Sequence, residues 1–323
     1  MDKLPYLVDV PVLLVFFVRP DTLQQVFDQI KKARPSKLYL CQDGPRSNRS
    51  DDIENINKCR KIVENIDWEC EVHKDFAEVN YGCDPNIYRA INWIFQSEER
   101  MIFLEDDSVP ALSYFAFCKQ MLDKYNDDKR ISIISSFNLA EKWNVPSDYF
   151  FTQAATLSGC WGTWRRVWEE RDETLGFTDD EYFKKLFHGF YNQGHLAYKD
   201  FSDFKLRNRE FKEQDKITSF EVLIGSARLL NSSLAVMPSK NMNCNIGMTS
   251  NATHGTANLS HLNRKLQKIF YMKVYEVPEN LNHPRYMIPD MAYSKKVADI
   301  IGAKRYISTL RKIEMKLRRL IFK

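Results

Sequence analysis

Apolar residues recur along this chain with two different periods. Val10-Pro11-Val12-Leu13-Leu14-Val15-Phe16-Phe17-Val18 is a continuous apolar run, and such a run between polar flanks predicts a buried strand. Lys37 to Cys41, Trp68 to His73, Met101 to Leu104, Arg130 to Ser135 and Leu234 to Met237 predict further strands. Between them the period lengthens to three and four residues. A helix is predicted from a cap at Asp21 or Thr22 to about Ala33. Another covers Asp51 to Asn65, with Ile53, Ile56, Cys59, Ile62 and Val63 on one face. Asn86 to Gln96, Ala111 to Tyr125 and Ser219 to about Leu230 complete the set. Strands alternating with helices predict an α/β fold, a mostly parallel sheet with helices on both faces.

The second half is less regular. Trp161, Trp164 and Trp168 are spaced so that a helix would align them. A polar, aromatic-rich stretch runs from His188 to Lys216, and a Gly/Asn/Ser/Thr-rich loop from Pro238 to Asn258. Tyr293 to Lys323 predicts a separable amphipathic helix or helix pair. Val297, Ile300, Ile301, Ile307, Leu310, Ile313, Leu317, Leu320 and Ile321 form its apolar stripe.

Composition narrows the class. The 323 residues are 44% hydrophobic and 28% charged, ordinary for a soluble globular protein. Aromatics at 13% leave material for stacking surfaces as well as core. A net charge of +4 is too small to indicate nucleic acid as a partner. The charge is uneven: Lys295 to Lys323 holds ten Lys/Arg against Asp299 and Glu314, so the rest is mildly acidic. Seven scattered cysteines without CxxC spacing predict reduced, cytoplasmic usage. No signal peptide is recognisable, and no stretch approaches the ~20 apolar residues that span a bilayer. The expected location is the cytoplasm, extended to the inner face of the cytoplasmic membrane if the C-terminal helix docks there. That basic amphipathic segment reads as an interfacial anchor for an anionic membrane surface. The alternative is a helix packed on the catalytic domain or on a second subunit.

Candidate chemistry centres on Phe103-Leu104-Glu105-Asp106-Asp107-Ser108-Val109-Pro110. Three acids follow a predicted strand, at the carboxyl edge where open α/β sheets bind ligands. Hard carboxylate oxygens suit Mg²⁺ or Mn²⁺, and such a metal suits a diphosphate. A solvated acidic turn would look the same locally. Arg19 and Asp43 fall at the ends of the first two strands. Asp43 could accept a hydrogen bond from a uracil imide, or open a type I turn at Asp43-Gly44-Pro45.

The ordered segments resemble glycosyltransferases of the A-type fold. The similarity points to bacterial family-2-like enzymes of surface-polysaccharide synthesis and to the N-acetylglucosaminyltransferase I family. It is carried by Phe17-Val18-Arg19-Pro20, Gln42-Asp43-Gly44-Pro45-Arg46, Asn80-Tyr81-Gly82, Ile91-Asn92-Trp93-Ile94-Phe95 and Phe103-Leu104-Glu105-Asp106-Asp107. Ser158-Gly159-Cys160-Trp161-Gly162-Thr163-Trp164 and Met237-Pro238-Ser239 through Asn245-Ile246-Gly247 to Thr253-His254 continue it. It spans about residues 10 to 255.

The resemblance implies a nucleotide-sugar transferase fold and a cell-surface polysaccharide role. It implies a nucleotide-sugar donor, UDP-linked in the first instance, and a glycan or lipid-linked glycan acceptor. Arg19, Asp43 and Asn80 would bind the nucleotide. Glu105 and Asp106 would face ribose and donor sugar, and Asp107 would hold Mn²⁺ or Mg²⁺. His254 would return to the metal or diphosphate, unless it is a surface histidine. Trp161 would stack on a sugar, with Trp164 and Trp168 in the core. An inverting transferase needs a base, for which Glu221 is first choice and Asp215 second. A first-turn acid favoured by the helix dipole is the plainer account of Glu221. The implied division is a catalytic domain over 1–260 and a C-terminal extension over 261–323. Residues 1–135 would be its nucleotide-sugar half and 136–260 its acceptor half. A sugar nucleotidyltransferase is the rival enzyme, although Phe16 to Pro20 lacks the glycine-rich phosphate loop it usually carries. A non-catalytic sugar-binding protein would have no need of the acid triplet.

Overall fold

The computed structural model describes residues 3–190, 195–248, 258–301 and 305–321. The first half alternates as read from sequence: β1 (Val12–Phe16), α1 (Pro20–Ala33), β2 (Lys37–Gln42), α2 (Asp52–Val63), β3 (Glu71–Phe76), α3 (Cys83–Ile94) and β4 (Arg100–Glu105). Then come β5 (Ser108–Pro110), α4 (Leu112–Lys124), β6 (Ile131–Ser135), β7 (Tyr149–Thr152), β8 (Trp161–Trp164) and α5 (Arg165–Glu169). The remainder is α6 (Glu181–Phe190), α7 (His195–Gln214), α8 (Phe220–Leu230), β9 (Leu234–Pro238), β10 (Asn243–Asn245), α9 (Arg264–Gln267), α10 (Met291–Ile301) and α11 (Arg305–Ile321).

Eight strands form one sheet in the order β3-β2-β1-β4-β8-β6-β9-β7. The first four are parallel. β8 runs against both β4 and β6, so β6 and its parallel neighbour β9 point the same way as the first four. Only β8 and the edge strand β7 are reversed. The parallel strands therefore deliver their carboxyl ends to one edge. β1 separates the two layers. Val12, Leu14 and Phe16 face a core with α1, α2 and α4, whereas Leu13 and Val15 face one with α3, α5 and α8. Helices thus cover both faces, an arrangement consistent with a Rossmann-like nucleotide-sugar transferase fold. Among the described residues no helix is long and apolar enough to cross a membrane.

Local chemistry sets the boundaries. α1 begins one residue before the expected cap because Pro20 occupies its first position, where a missing N–H costs nothing. Its buried Leu23, Val26, Phe27 and Ile30 each contribute about 1.5–3 kcal/mol, so packing rather than capping holds it. α3 starts at Cys83, three residues earlier than expected, because Pro85 fits in a first turn. The third strand slides to Glu71–Phe76. Trp68 is instead buried, donating its indole N–H to the Pro35 carbonyl at 2.8 Å. The tryptophan cluster is not one helix: Trp161 to Trp164 form β8, and the helix begins only at Arg165.

Candidate active site

Three strand ends converge at the carboxyl edge. Arg19 follows β1, Asp43 follows β2, and Glu105-Asp106-Asp107 closes and follows β4. Arg19 is mostly buried and bridges two of the acids. One guanidinium nitrogen pairs with Asp106, the other donates to Asp107 Oδ2 at 2.9 Å. The Phe17 amide donates to Asp106 Oδ2 at 3.2 Å. Burial works against the Arg19 charge, but Asp106 and Asp107 override it and hold its pKa above the ordinary value. Burial raises the Asp106 carboxyl, and Arg19 opposes it.

Glu105 is in a different position. Burial pushes its carboxyl well above the usual range, and the charges of Asp107 and Glu221 push the same way. The Gly159 amide at 3.3 Å only partly offsets this. The rise is larger for Glu105 than for Asp106, which has Arg19 against it. Asp107 is partly open to solvent and is clasped from above by the short β5–β10 ribbon, in which Asn245 faces Ser108. The Ile246 amide donates to the Asp107 carbonyl at 2.8 Å. Gly247 lies so close that a Cβ there would collide with Asp107 Oδ2.

Asp43 is tied into the backbone. Its carboxylate accepts from the amides of Gly44, Tyr81 and Gly82 at 2.8–2.9 Å and from the Asn80 side chain at 3.0 Å. Four bonds fill the lone-pair directions of a carboxylate, so Asp43 fixes the 80–82 loop and has little capacity left for a base. Asn80 completes the clasp by donating to the Gly44 carbonyl at 2.8 Å.

Two cavities open beside this cluster and share Arg19, Cys83 and Glu105 as walls. The smaller, about 120 Å³, lies over the ends of β1 and β2, bordered by Phe17, Asp43, Arg46, Asn80, Asn86 and Asp106. The larger, about 410 Å³, runs past Asp107 to Ser158, Arg207, Glu221 and Asn245. Glu221 stands in the first turn of α8, whose cap Ser219 accepts from the Val222 amide at 3.4 Å. It also borders a third cavity of about 250 Å³ with Phe187, Phe204 and Thr156.

The other expected residues fall elsewhere. Asp215 follows α7 in a left-handed conformation (φ 48°), exposed, and borders none of these cavities. Trp161 is only 1% exposed and stacks on Phe103 at 4.7 Å, so its ring belongs to the core and not to a sugar surface. Trp164 and Trp168 are core residues, as expected. His254 lies outside the described residues. Reading the sequence missed Arg46 as a cavity wall, although it sat within one of the matching motifs. Its guanidinium is locked on buried Asp52 and lies over the Phe17 ring at 5.2 Å. Arg207, on α7, had no sequence signal.

Among the described residues no three His, Cys, Asp or Glu side chains could hold a metal between them. The donor set nevertheless fits a cation shared with a substrate. Asp107 offers a carboxylate, and phosphate oxygens and waters can fill an octahedron. Around the larger cavity Asp84, Asp107 and Glu221 outnumber Arg19 and Arg207 even without Glu105. A diphosphate settling there requires a further positive charge.

No family model and no curated protein matches the chain. Solved structures do align with it, among them the following two. The UDP-glucose pyrophosphorylase complexed with UDP-glucose is 11% identical over 50% of this chain and 78% of that one, with a TM-score of 0.27. Mouse xyloside xylosyltransferase 1, in its apo form, is 9% identical over 72% of this chain and 84% of that one, with a TM-score of 0.32. Alignments at these scores do not define a shared activity.

Proposed function

We propose that this chain is a metal-dependent glycosyltransferase. It moves a sugar from a nucleotide-sugar, a UDP-sugar in the first instance, to a hydroxyl of a glycan acceptor, with inversion. The observation carrying this reading is the Arg19–Asp106–Asp107 cluster at the sheet edge, flanked by two adjoining cavities with Glu221 across the larger. The smaller cavity receives the nucleoside against Phe17, Asn86 and the 80–82 loop that Asp43 positions. Arg19 and Asp107 face the diphosphate. Asp107 would hold Mn²⁺ or Mg²⁺, which when bound supplies Lewis-acid stabilisation of the charge growing on the leaving diphosphate. Glu105, whose carboxyl burial holds well above the ordinary range, would face a donor-sugar hydroxyl. Glu221 accepts the acceptor's hydroxyl proton as that oxygen bonds to the anomeric carbon and the bond to the diphosphate oxygen breaks.

The test is turnover of a UDP-sugar panel with Mn²⁺, read as UDP release and product mass. Asp107→Asn is expected to lose about 10²–10³-fold. Glu221→Gln is expected to lose ~10²–10⁴-fold. Both variants should keep the wild-type circular dichroism spectrum. Unchanged turnover in EDTA, or in both variants, rejects the reading. Pyrophosphate in place of UDP assigns nucleotidyl transfer instead.

A further inference from the structure

The apolar stripe of the C-terminal segment divides in two. On α10 it is covered: Tyr293 and Val297 are buried and Ile300 and Ile301 are partly buried, in one cluster with Phe137, Phe150 and Met237. On α11 the arrangement is reversed. The face turned to the protein is polar. Arg311 donates to the carbonyls of Asp299 and Ile300, both at 2.7 Å. Glu314 accepts from the Arg264 amide at 3.3 Å and from Arg318 at 2.9 Å, and Arg318 reaches the Ser260 carbonyl at 3.3 Å. The outward face carries Leu310, Ile313, Leu317, Leu320 and Ile321, each between 50% and 71% exposed. A surface helix ordinarily turns its apolar stripe inward, because burying it is what stabilises the helix. Here hydrogen bonds to backbone groups hold the helix, and the apolar stripe faces outward.

Charge selects what covers it. α11 contains six arginines and lysines against Glu314 alone. Lys312, Lys316 and Arg319 are exposed and flank the stripe. A second copy packed along this face would bring two strongly basic helices together. It would do so over only Leu310 to Ile321, less than two heptads, where a coiled coil normally needs complementary flanking charges and several repeats. A bilayer surface with anionic headgroups satisfies both features, apolar side chains entering the acyl boundary and the basic flank meeting phosphate.

We infer that α11 is an interfacial membrane-docking helix, held on the protein by its polar face and lying on an anionic leaflet by the other. This surface is separate from the proposed transfer site, and its test does not depend on turnover. Full-length protein is sedimented with phosphatidylglycerol-containing vesicles and with pure phosphatidylcholine vesicles. Binding is expected to the first and not the second, and to weaken with salt. Neutralising Lys312, Lys316 and Arg319 to glutamine is expected to lower vesicle partitioning about 100-fold, given about fivefold per basic residue. Ile313→Asp with Leu317→Asp is expected to abolish it. Those two side chains are exposed, so the folded protein should keep its melting temperature. Equal binding by both variants and wild type overturns the proposal. So does a concentration-dependent dimer, without vesicle binding, that the Asp substitutions dissociate.

Discussion

Glu105 carries the clearest conflict between a residue and its surroundings. A carboxylate there loses water and faces Asp107 and Glu221, with only the Gly159 amide and Arg19 in its favour. Folding therefore favours the protonated acid. Below the ordinary glutamate pKa of 4.5, Glu105 is neutral both folded and unfolded and costs nothing. As pH rises above it, the unfolded chain gains by ionising and the folded chain does not, so stability falls until the raised folded pKa is passed. Glu105→Gln keeps the shape and removes the charge. It is expected to raise stability at neutral pH, because it removes a charge that the folded site disfavours. The gain should vanish toward pH 4. Urea titrations at the two pH values check this, and a destabilised variant at neutral pH would mean Glu105 is held ionised. The triplet was legible in sequence because three acids after an apolar run mark a strand end. The division of labour within it was not. Which acid Arg19 neutralises and which keeps its proton depends on side-chain directions that no local pattern encodes. Asp43 shows the same limit: its position was read correctly, but its four hydrogen bonds come from residues 44 and 80–82.

Elements show why short pieces escape a reading by period. β5 and β10 have three residues each and no apolar run, yet they fix the backbone around Asp107. The Asn245-Ile246-Gly247 segment was noticed as a motif, and its function becomes visible only through the ribbon. Gly247 keeps the space that Asp107 Oδ2 occupies, so Gly247→Ala must push the carboxylate or the loop aside. That substitution is expected to lower proposed transferase turnover at least ~10-fold, because small misplacements at a reacting centre cost up to 10²-fold. The melting temperature should change little, since the loop lies outside the core. Wild-type turnover in Gly247→Ala would remove the clasp from the site. α7 was missed for a different reason. Nine of its twenty residues are charged, with Arg207–Glu210 and Arg209–Glu213 pairs along the surface and Phe201 and Phe204 buried. A helix polar on most sides has no strong stripe to detect. β8 was misread because Trp161 and Trp164 have helical spacing. Pairing with β4 and β6 decided the conformation instead.

At the scale of the whole molecule, the seven cysteines share one property. None is in a disulfide, and all are buried or half-buried. Burial raises each thiol: Cys41, Cys59 and Cys118 to about 12, and Cys70 to about 11. Cys244 is raised by the same cause, and Cys160 well above its ordinary value. Cys83 is the informative one, because it borders both cavities beside the acid cluster. A reactive thiol needs a cation or a helix N-terminus to favour the thiolate. Cys83 does start α3, but burial raises it, and Glu105, Asp84 and Asp106 add to the rise while Arg19 opposes only weakly. It is placed as a wall and not as a nucleophile. A rise from 9.0 to about 12, as for Cys41, lowers the thiolate fraction about a thousandfold at neutral pH. Iodoacetamide at neutral pH is therefore expected to leave the native protein unlabelled, and to modify all seven positions once guanidinium unfolds the chain. Peptide mass spectrometry reads both states. Rapid labelling of Cys83 in the native protein would show that the acids beside it do not hold its thiol protonated, and the charge balance assigned to the site would have to be redrawn.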